Sequence, residues 1–359
     1  MTQIKEGFCF DDVLLIPQHS TVKSRSFVDI SVKWGALHYE HPIIPANMQT
    51  VAGKEMVKAV IKSGGLAILH RFMPEIEQLQ IAEEIFDDHG NEHFAVSIGV
   101  KPQDGEMAYK FRKAGVRIIC IDIAHGDSEQ CVEMTQWIKK NLPDMFIIAG
   151  NVATGSAAER LWRAGADAVK VGVGNGSLCT TRIETGNGVP QFTALVDVAE
   201  TRTSLMLEPI RWKNQSLSGK ISMLKPTPID SPMYIISDGG LKSAGDCVKA
   251  LAFADMVMIG NLFAGCEEAP GKRIVIDGVS YKEYVGSSTH KTNHIEGVAA
   301  LVPTKGSFNS ILTKLLEGIR SGCSYQGTHN LKELQENPTF IRITNAGLKE
   351  SHPHDVILK

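Results

Sequence analysis

Eight short apolar runs punctuate this chain, and each carries a glycine or a polar side chain toward its C-terminal end. They are Pro42–Met48, Leu66–His70, Phe94–Gly99, Ile118–Ala124, Phe146–Asn151, Ala168–Gly174, Tyr234–Gly239 and Met256–Asn261. Runs that stay apolar without alternation are strands buried on both faces, as in parallel sheets. Between most of them lie helix-patterned segments with apolar residues at three- and four-residue spacing: Gly53–Ser63, Gly105–Ala114, Glu129–Asn141, Ser156–Ala164 and Ser243–Ala254. Gly64, Gly115 and Gly165 stand where a helix C-cap glycine belongs. Strand starts recur about every 22–28 residues, apart from one long gap between the sixth and the seventh. The pattern predicts an α/β chain built as a single-domain (β/α)8 (TIM) barrel; an open doubly wound sheet is the alternative, but eight regular units favour closure.

The long gap reads as the sixth strand's loop, a helix over Phe192–Thr201, and a surface insertion over 202–232 that leaves room for a hairpin. Pro209, Pro226, Pro228 and Pro232 interrupt that insertion, and Arg211, Lys213, Lys220 and Lys225 are expected either to form a solvated face or to touch a partner, the solvated face being favoured. Of the 359 residues, 43% are hydrophobic and 21% charged, with a net charge of −3. That balance gives no electrostatic case for nucleic acid or an anionic membrane, and no apolar run is long enough to span a bilayer. The start of the chain lacks a signal-peptide core, the pattern of a cytoplasmic protein. Seven cysteines, at 9, 120, 131, 179, 247, 266 and 323, show no CxxC or zinc-ligand spacing, so a disulfide scaffold is not expected.

Barrel sites lie at the C-terminal strand ends, where Asn47, His70, Asp122, His125, Asn151, Cys179, Asp238 and Asn261 cluster. The sixth run leads into Gly172, Gly174 and Gly176, followed by Ser177, Cys179 and Thr181 at alternate positions. Glycines let backbone amides approach an anion closely, and a thiol between hydroxyls supplies a nucleophile and a proton relay. The plain alternative is a glycine-rich turn around a buried, inert cysteine. After the seventh and eighth runs come Gly239-Gly240 and Gly260-Asn261, the usual place for a phosphate site in this architecture. Asp238 is placed either to accept from a ribose diol or to cap a turn. Together these point to a phosphorylated, ribose-bearing ligand beside Cys179, a free mononucleotide in preference to nucleic acid.

With those motifs on the page, the chain resembles the IMP dehydrogenase/GMP reductase family. The resemblance runs from Phe10-Asp11-Asp12-Val13-Leu14-Leu15-Ile16-Pro17 to the C-terminal tail. It is most specific at Gly-Asn-Gly-Ser-Leu-Cys-Thr-Thr-Arg and Thr-Gly-Asn-Gly-Val-Pro-Gln, within 174–191. It implies that Cys179 attacks C2 of a purine nucleotide and that a nicotinamide cofactor exchanges hydride there. It implies that Ser177, Gly239, Gly240, Gly260 and Asn261 meet the 5′-phosphate with help from Tyr284, while Asp238 holds the ribose. Gly286 and Ser287 match the loop that meets the base, Met48 and Asn47 the segment beneath the purine, and Asp122, Ile123, Ala124 and Asn151 the nicotinamide end. Gly174, Gly176 and Cys179 match the carbonyl donors of a monovalent-cation site, expected to hold K+. Glu350, Ser351 and His352, in the 344–359 tail, match the segment that completes that site from a neighbouring subunit of a tetramer or octamer.

Within the family, reductases turn GMP into IMP with NADPH, and dehydrogenases turn IMP into XMP with NAD. Dehydrogenases carry an Arg-Tyr pair in a mobile flap; here the corresponding stretch, inside a short active-site loop over 284–303, contains none. No regulatory (CBS) pair is inserted after the second strand. Pro45-Ala46-Asn47-Met48-Gln49-Thr50, His70-Arg71-Phe72, Ser97-Ile98-Gly99-Val100-Lys101 and Ile121-Asp122-Ile123-Ala124-His125-Gly126 are similar to one subgroup of bacterial GMP reductases. Two departures stand against this. His290 occupies the place of the reductase glutamate that partners Thr181, leaving His290 or Glu296 as the proton donor, and the Glu350-Ser351-His352 tail is more typical of dehydrogenases. GMP reduction is the leading expectation, with IMP dehydrogenation and a non-catalytic purine-nucleotide-binding paralogue as alternatives.

Overall fold

In the computed structural model, which describes residues 4–90, 92–217, 229, 231–286 and 298–356, all eight apolar runs are parallel strands of one sheet. They are β1 (Ile43–Pro45), β2 (Ala67–Leu69), β3 (Phe94–Ile98), β4 (Ile118–Asp122), β5 (Phe146–Val152), β6 (Ala168–Val171), β7 (Tyr234–Asp238) and β8 (Met256–Ile259). Their hydrogen-bonded order is β1–β8–β7–β6–β5–β4–β3–β2, with Val257 of β8 facing Ile43 of β1. β1 and β2 then lie side by side, which brings the sheet almost to closure as a barrel. Every residue of β6 and β8 is buried, because one face fills the barrel and the other meets the helices.

One long helix follows each strand: α1 (Lys54–Lys62), α2 (Glu75–His89), α3 (Pro102–Lys113), α4 (Glu129–Asn141), α5 (Gly155–Ala164), α6 (Gln191–Leu217), α7 (Ala244–Leu251) and α8 (Phe308–Tyr325). α5 shows why these segments are helical. Thr154 caps it by accepting from the Ala157 amide, Ala157, Ala158, Leu161 and Trp162 form its buried stripe, and Gly165 ends it at φ +106°. Gly64 and Gly115 adopt the same left-handed conformation. α8 packs against both α7 and α1, closing the outer ring.

The helix expected over Phe192–Thr201 does not stop there; α6 continues to Leu217. Pro209 therefore does not end it, and the insertion expected from 202 begins as helix. Arg202 fastens this extension, donating to Asp255 Oδ2 at 2.8 Å and to the Phe253 carbonyl, while Leu205 is buried. The expected hairpin falls partly on this helix and partly on 218–228 and 230, outside the described residues, as do Lys220 and Lys225; the side chains of Arg211 and Lys213 are also outside them.

The N-terminal mouth of the barrel is closed by an antiparallel hairpin, Val32–Trp34 with Leu37–Tyr39. Trp34 stacks on Phe146 and Tyr234, the first residues of β5 and β7, at 5.3 and 5.1 Å between ring centres. After β8, a three-stranded antiparallel sheet (Arg273–Ile276, Val279–Val285, Ala299–Pro303) precedes α8. Near the chain's two ends, Val13–Leu15 pairs antiparallel with Phe340–Arg342. Among the described residues, no helix is long and apolar enough to cross a membrane.

Candidate active site

At the C-terminal mouth the strand ends enclose a cavity of about 300 Å³. Asn47 and Met48 follow β1, Arg71 and Phe72 follow β2, and Asp122, Ile123 and Ala124 stand at the end of β4. Asn151, Lys170 and Asp238 come from β5, β6 and β7; the 172–179 loop, Thr181, Gly239, Tyr284 and Gly286 complete the wall. Most residues expected at the site thus share one cavity, drawn from distant parts of the chain.

Cys179 is exposed there, and its Sγ donates to Thr181 Oγ1 at 3.1 Å. The reading of an inert, buried cysteine does not hold for it. It does hold for Cys120, Cys131, Cys247, Cys266 and Cys323, which are buried. Burial pushes the thiols of Cys120, Cys131 and Cys266 up to about 12 and that of Cys323 to about 11, so they stay protonated. Cys9, the other exposed thiol, does not line the cavity.

The loop is held open by its neighbours. A side chain at Gly172 would run into the Asp238 carbonyl, so only glycine lets β6 leave the barrel this close to β7. Asn175 Nδ2 donates to that same carbonyl at 2.8 Å. From the start of α6, the buried amide of Gln191 donates to Val171 O (2.7 Å) and Ser237 Oγ (3.1 Å), bracing the root of the loop. The Cys179 amide turns back onto Gly176 O, and the Val298 amide ties Leu178 O to the antiparallel sheet.

Lys170 sits at the centre of the barrel with 2% of its side chain exposed. Its Nζ donates to Asp122 Oδ1 at 2.7 Å, to Asp238 Oδ2 at 3.2 Å and to Asn47 Oδ1 at 3.4 Å. Burial alone would lower its pKa; the Asp122 and Asp238 carboxylates outweigh that and hold it above the ordinary lysine value. In turn, burial works to raise Asp122, but the Lys170 charge overcomes it and keeps this carboxyl below its usual range. Asn151 spends both amide hydrogens inside the protein, on Gly172 O (2.9 Å) and Asp238 Oδ2 (2.8 Å), which leaves its carbonyl oxygen as an acceptor toward the cavity. Sequence motifs single out neither Lys170 nor Asn175 or Gln191 as site residues. The signal for Lys170 was a single lysine inside the aliphatic strand Ala168–Val171, since a buried charge needs paired partners.

Toward β7 and β8, Gly239 and Gly240 adopt left-handed backbone at φ +82° and +76°. The Gly239 amide is spent on Met258 O. Those of Ser177, Gly240 and Gly260 donate to no other group among the described residues. Gly260 packs against Tyr284 Oη and Met48 Sδ, and that hydroxyl is 3.7 Å from the sulfur. Gly240, Gly260 and Asn261 are not among the residues that line the cavity, although Gly240 follows Gly239, which does. Glu350, Ser351 and His352 are exposed, in and just after the short helix Asn345–Glu350, and do not reach the cavity of their own chain. Ser287, His290 and Glu296 lie outside the described residues. Among the described residues, no group of three or more His, Cys, Asp or Glu side chains could hold a metal ion.

A family model described as "IMP dehydrogenase / GMP reductase domain" matches residues 7–210 and 221–354. A GMP reductase of Streptococcus agalactiae serotype Ia is 38% identical over 333 residues, covering 91% of this chain and 93% of its own length. A GMP reductase of Bacillus subtilis (strain 168) is 36% identical over 347 residues, 94% of this chain and 97% of its own. An inosine-5′-monophosphate dehydrogenase of Nitrosopumilus maritimus is 30% identical across 99% of this chain, in an alignment of 500 positions.

Proposed function

Because this chain belongs to the IMP dehydrogenase/GMP reductase family, we propose that it is a GMP reductase, converting GMP to IMP and ammonia at the expense of NADPH. The observation that carries the reading is the exposed Cys179 sulfur, 3.1 Å from the Thr181 hydroxyl, on a cavity whose wall includes Ser177, the amide of which donates to no other group among the described residues. The Cys179 thiolate adds to C2 of the purine. A proton relayed through Thr181, from His290 or Glu296, reaches the 2-amino group; the C2–N bond breaks and ammonia leaves, giving a thioimidate on Cys179. NADPH, when bound, supplies the hydride to C2 and departs as NADP+. The C–S bond then breaks, restoring Cys179 and releasing IMP.

Asp238 holds the ribose diol, Ser177, Gly239, Gly240, Gly260, Asn261 and Tyr284 the phosphate side, and Met48, Asn47, Gly286 and Ser287 the purine. Asp122, Ile123, Ala124 and Asn151 hold the nicotinamide end. The fit rests on donor chemistry, because the Asn151 carbonyl oxygen is the acceptor that a carboxamide N–H requires. The carbonyl oxygens of Gly174, Gly176 and Cys179 suit a large, hard monovalent cation, K+, in preference to a transition metal. Glu350, Ser351 and His352 of a second copy complete that site in a homotetramer or octamer, which accords with their exposure in a single chain. We place the enzyme in the cytoplasm.

Reduction is favoured over IMP dehydrogenation by the 36–38% identity to relatives named GMP reductase, against 30% to the dehydrogenase, and by the missing Arg-Tyr pair. The tail trio favours the dehydrogenase reading. A paired assay decides: GMP-dependent loss of NADPH absorbance with ammonia release is expected, and IMP-dependent NADH formation without it would overturn the assignment. Cys179→Ala is expected to abolish turnover while still binding GMP, and retained turnover refutes the covalent route. Tight nucleotide binding by the wild-type chain with neither redox reaction selects a non-catalytic paralogue.

A further inference from the structure

We propose that Lys305 supplies the positive charge for the nucleotide's phosphate, acting from behind the Gly260–Asn261 turn and orienting Asn261 toward the anion. The inference rests on the mononucleotide reading above and extends it to a residue outside every motif of the sequence.

It begins from a charge imbalance. A phosphate monoester brings about −1.5 to −2 charges at neutral pH. Among the described residues, the cationic side chains lining the cavity are Arg71 and Lys170. Lys170 is committed to Asp122 and Asp238, and Arg71 Nε donates to the Asp122 carbonyl at 3.0 Å. Both therefore serve the centre and the β4 side. The donors toward β7 and β8 are neutral: the amides of Ser177, Gly240 and Gly260 and the Tyr284 hydroxyl. Lys242, two residues beyond Gly240, is already paired with Asp11 at 2.6 Å.

Lys305 is placed to correct the imbalance. It follows the last strand of the antiparallel sheet, and its amide is fixed on Gly265 O at 2.8 Å. Its Nζ reaches Asn261 O at 3.3 Å and Asn261 Oδ1 at 3.5 Å. The adjacent Gly260 lies against Tyr284 and Met48, which line the cavity. Lys305 is partly buried, burial lowers its pKa, and among the described residues it forms no ion pair with a carboxylate. Lys282, the other lysine of this region drawn inside, is instead satisfied by three carbonyls, those of Cys266, Glu267 and Ala269. An ammonium with two long contacts and no counter-ion is unfavourable in a partly buried position. A phosphate at the turn removes that penalty. The contact to Oδ1 also directs the Asn261 amide, leaving its NH2 as a donor for the same anion.

The test compares GMP with guanosine, which lacks the phosphate, by calorimetric titration of the full chain. In Lys305→Met, GMP binding weakens by about 10- to 100-fold, guanosine binding is unchanged, and the loss in turnover falls on KM. Lys305→Arg keeps the charge and recovers most of the affinity. Lys305→Gln, neutral and polar, repeats the comparison should the methionine variant fail to fold. Equal weakening of GMP and guanosine, or GMP affinity within about twofold of wild type in both neutral variants, overturns the proposal. A wild-type chain that binds GMP no better than guanosine removes the mononucleotide reading itself, whatever the variants do.

Discussion

Replacing Lys170 by methionine isolates the largest electrostatic commitment in the site. At an effective permittivity of about 20, unit charges at the observed 2.7 and 3.2 Å attract by about 6 and about 5 kcal/mol. Desolvation of the buried ammonium offsets much of this. Breaking a buried pair by removing one partner is worth about 3–5 kcal/mol, the loss expected in urea unfolding near neutral pH. The sign of the pH dependence follows from the two shifts. Lys170 is raised, so its contribution is complete below the unfolded lysine value of about 10.4 and is lost as pH climbs through the folded value. Asp122 is depressed, so its contribution is present above its unfolded value of about 3.9 and lost as pH falls through the folded one. Wild type is therefore insensitive, in this cluster, between about pH 4 and about pH 10. Without Lys170, burial of Asp122 goes unopposed, its carboxyl is pushed upward, and the acid limb of the pH–rate profile moves toward neutrality. Unfolding within about 1 kcal/mol of wild type, together with an unmoved acid limb, would refute this account.

Two further outcomes are expected. His41 and His70 are 1% and 4% exposed, burial lowers both to about 4, and each accepts a backbone N–H at Nδ1, from Ile43 and Phe72. The unfolded chain protonates them first as pH falls below about 6.5, so each removes about 2 kcal/mol of stability by pH 5, and the loss levels off below about pH 4; His41→Gln and His70→Gln should flatten the stability–pH curve, and an unchanged curve in both would show that the histidines are not its source. Trp34→Ala at the opposite mouth should cost about 3–5 kcal/mol of stability while leaving KM for the purine nucleotide unchanged, since its stacking partners Phe146 and Tyr234 lie at the strand starts; a large rise in KM at constant stability would contradict that separation.

The strands were legible because burial on both faces writes a local code, aliphatic runs closed by a polar residue, and all eight runs contain a strand. Glycine caps were legible for the same reason: Gly64, Gly115 and Gly165 must each take a left-handed backbone, and each does. The end of α6 was not, because what carries that helix past Thr201 is the Arg202–Asp255 contact across 53 residues of chain. The candidate site divides in the same way. Cys179 and Thr181 are two residues apart, so their encounter is nearly a property of the loop.

Sequence alone therefore determined the barrel, the end of it at which the polar residues gather, and the encounter of Cys179 with Thr181, since each depends on periodicity or spacing within a few residues. Tertiary structure decided which charges answer one another. Lys170 finds Asp122 and Asp238, 48 and 68 residues away, only because near-closure of the sheet turns three strands toward one axis. Lys305 comes to lie behind Asn261, 44 residues back, because the antiparallel sheet folds over the end of β8. A pairing across such separations is set by strand register and barrel geometry, which no short window of residues contains.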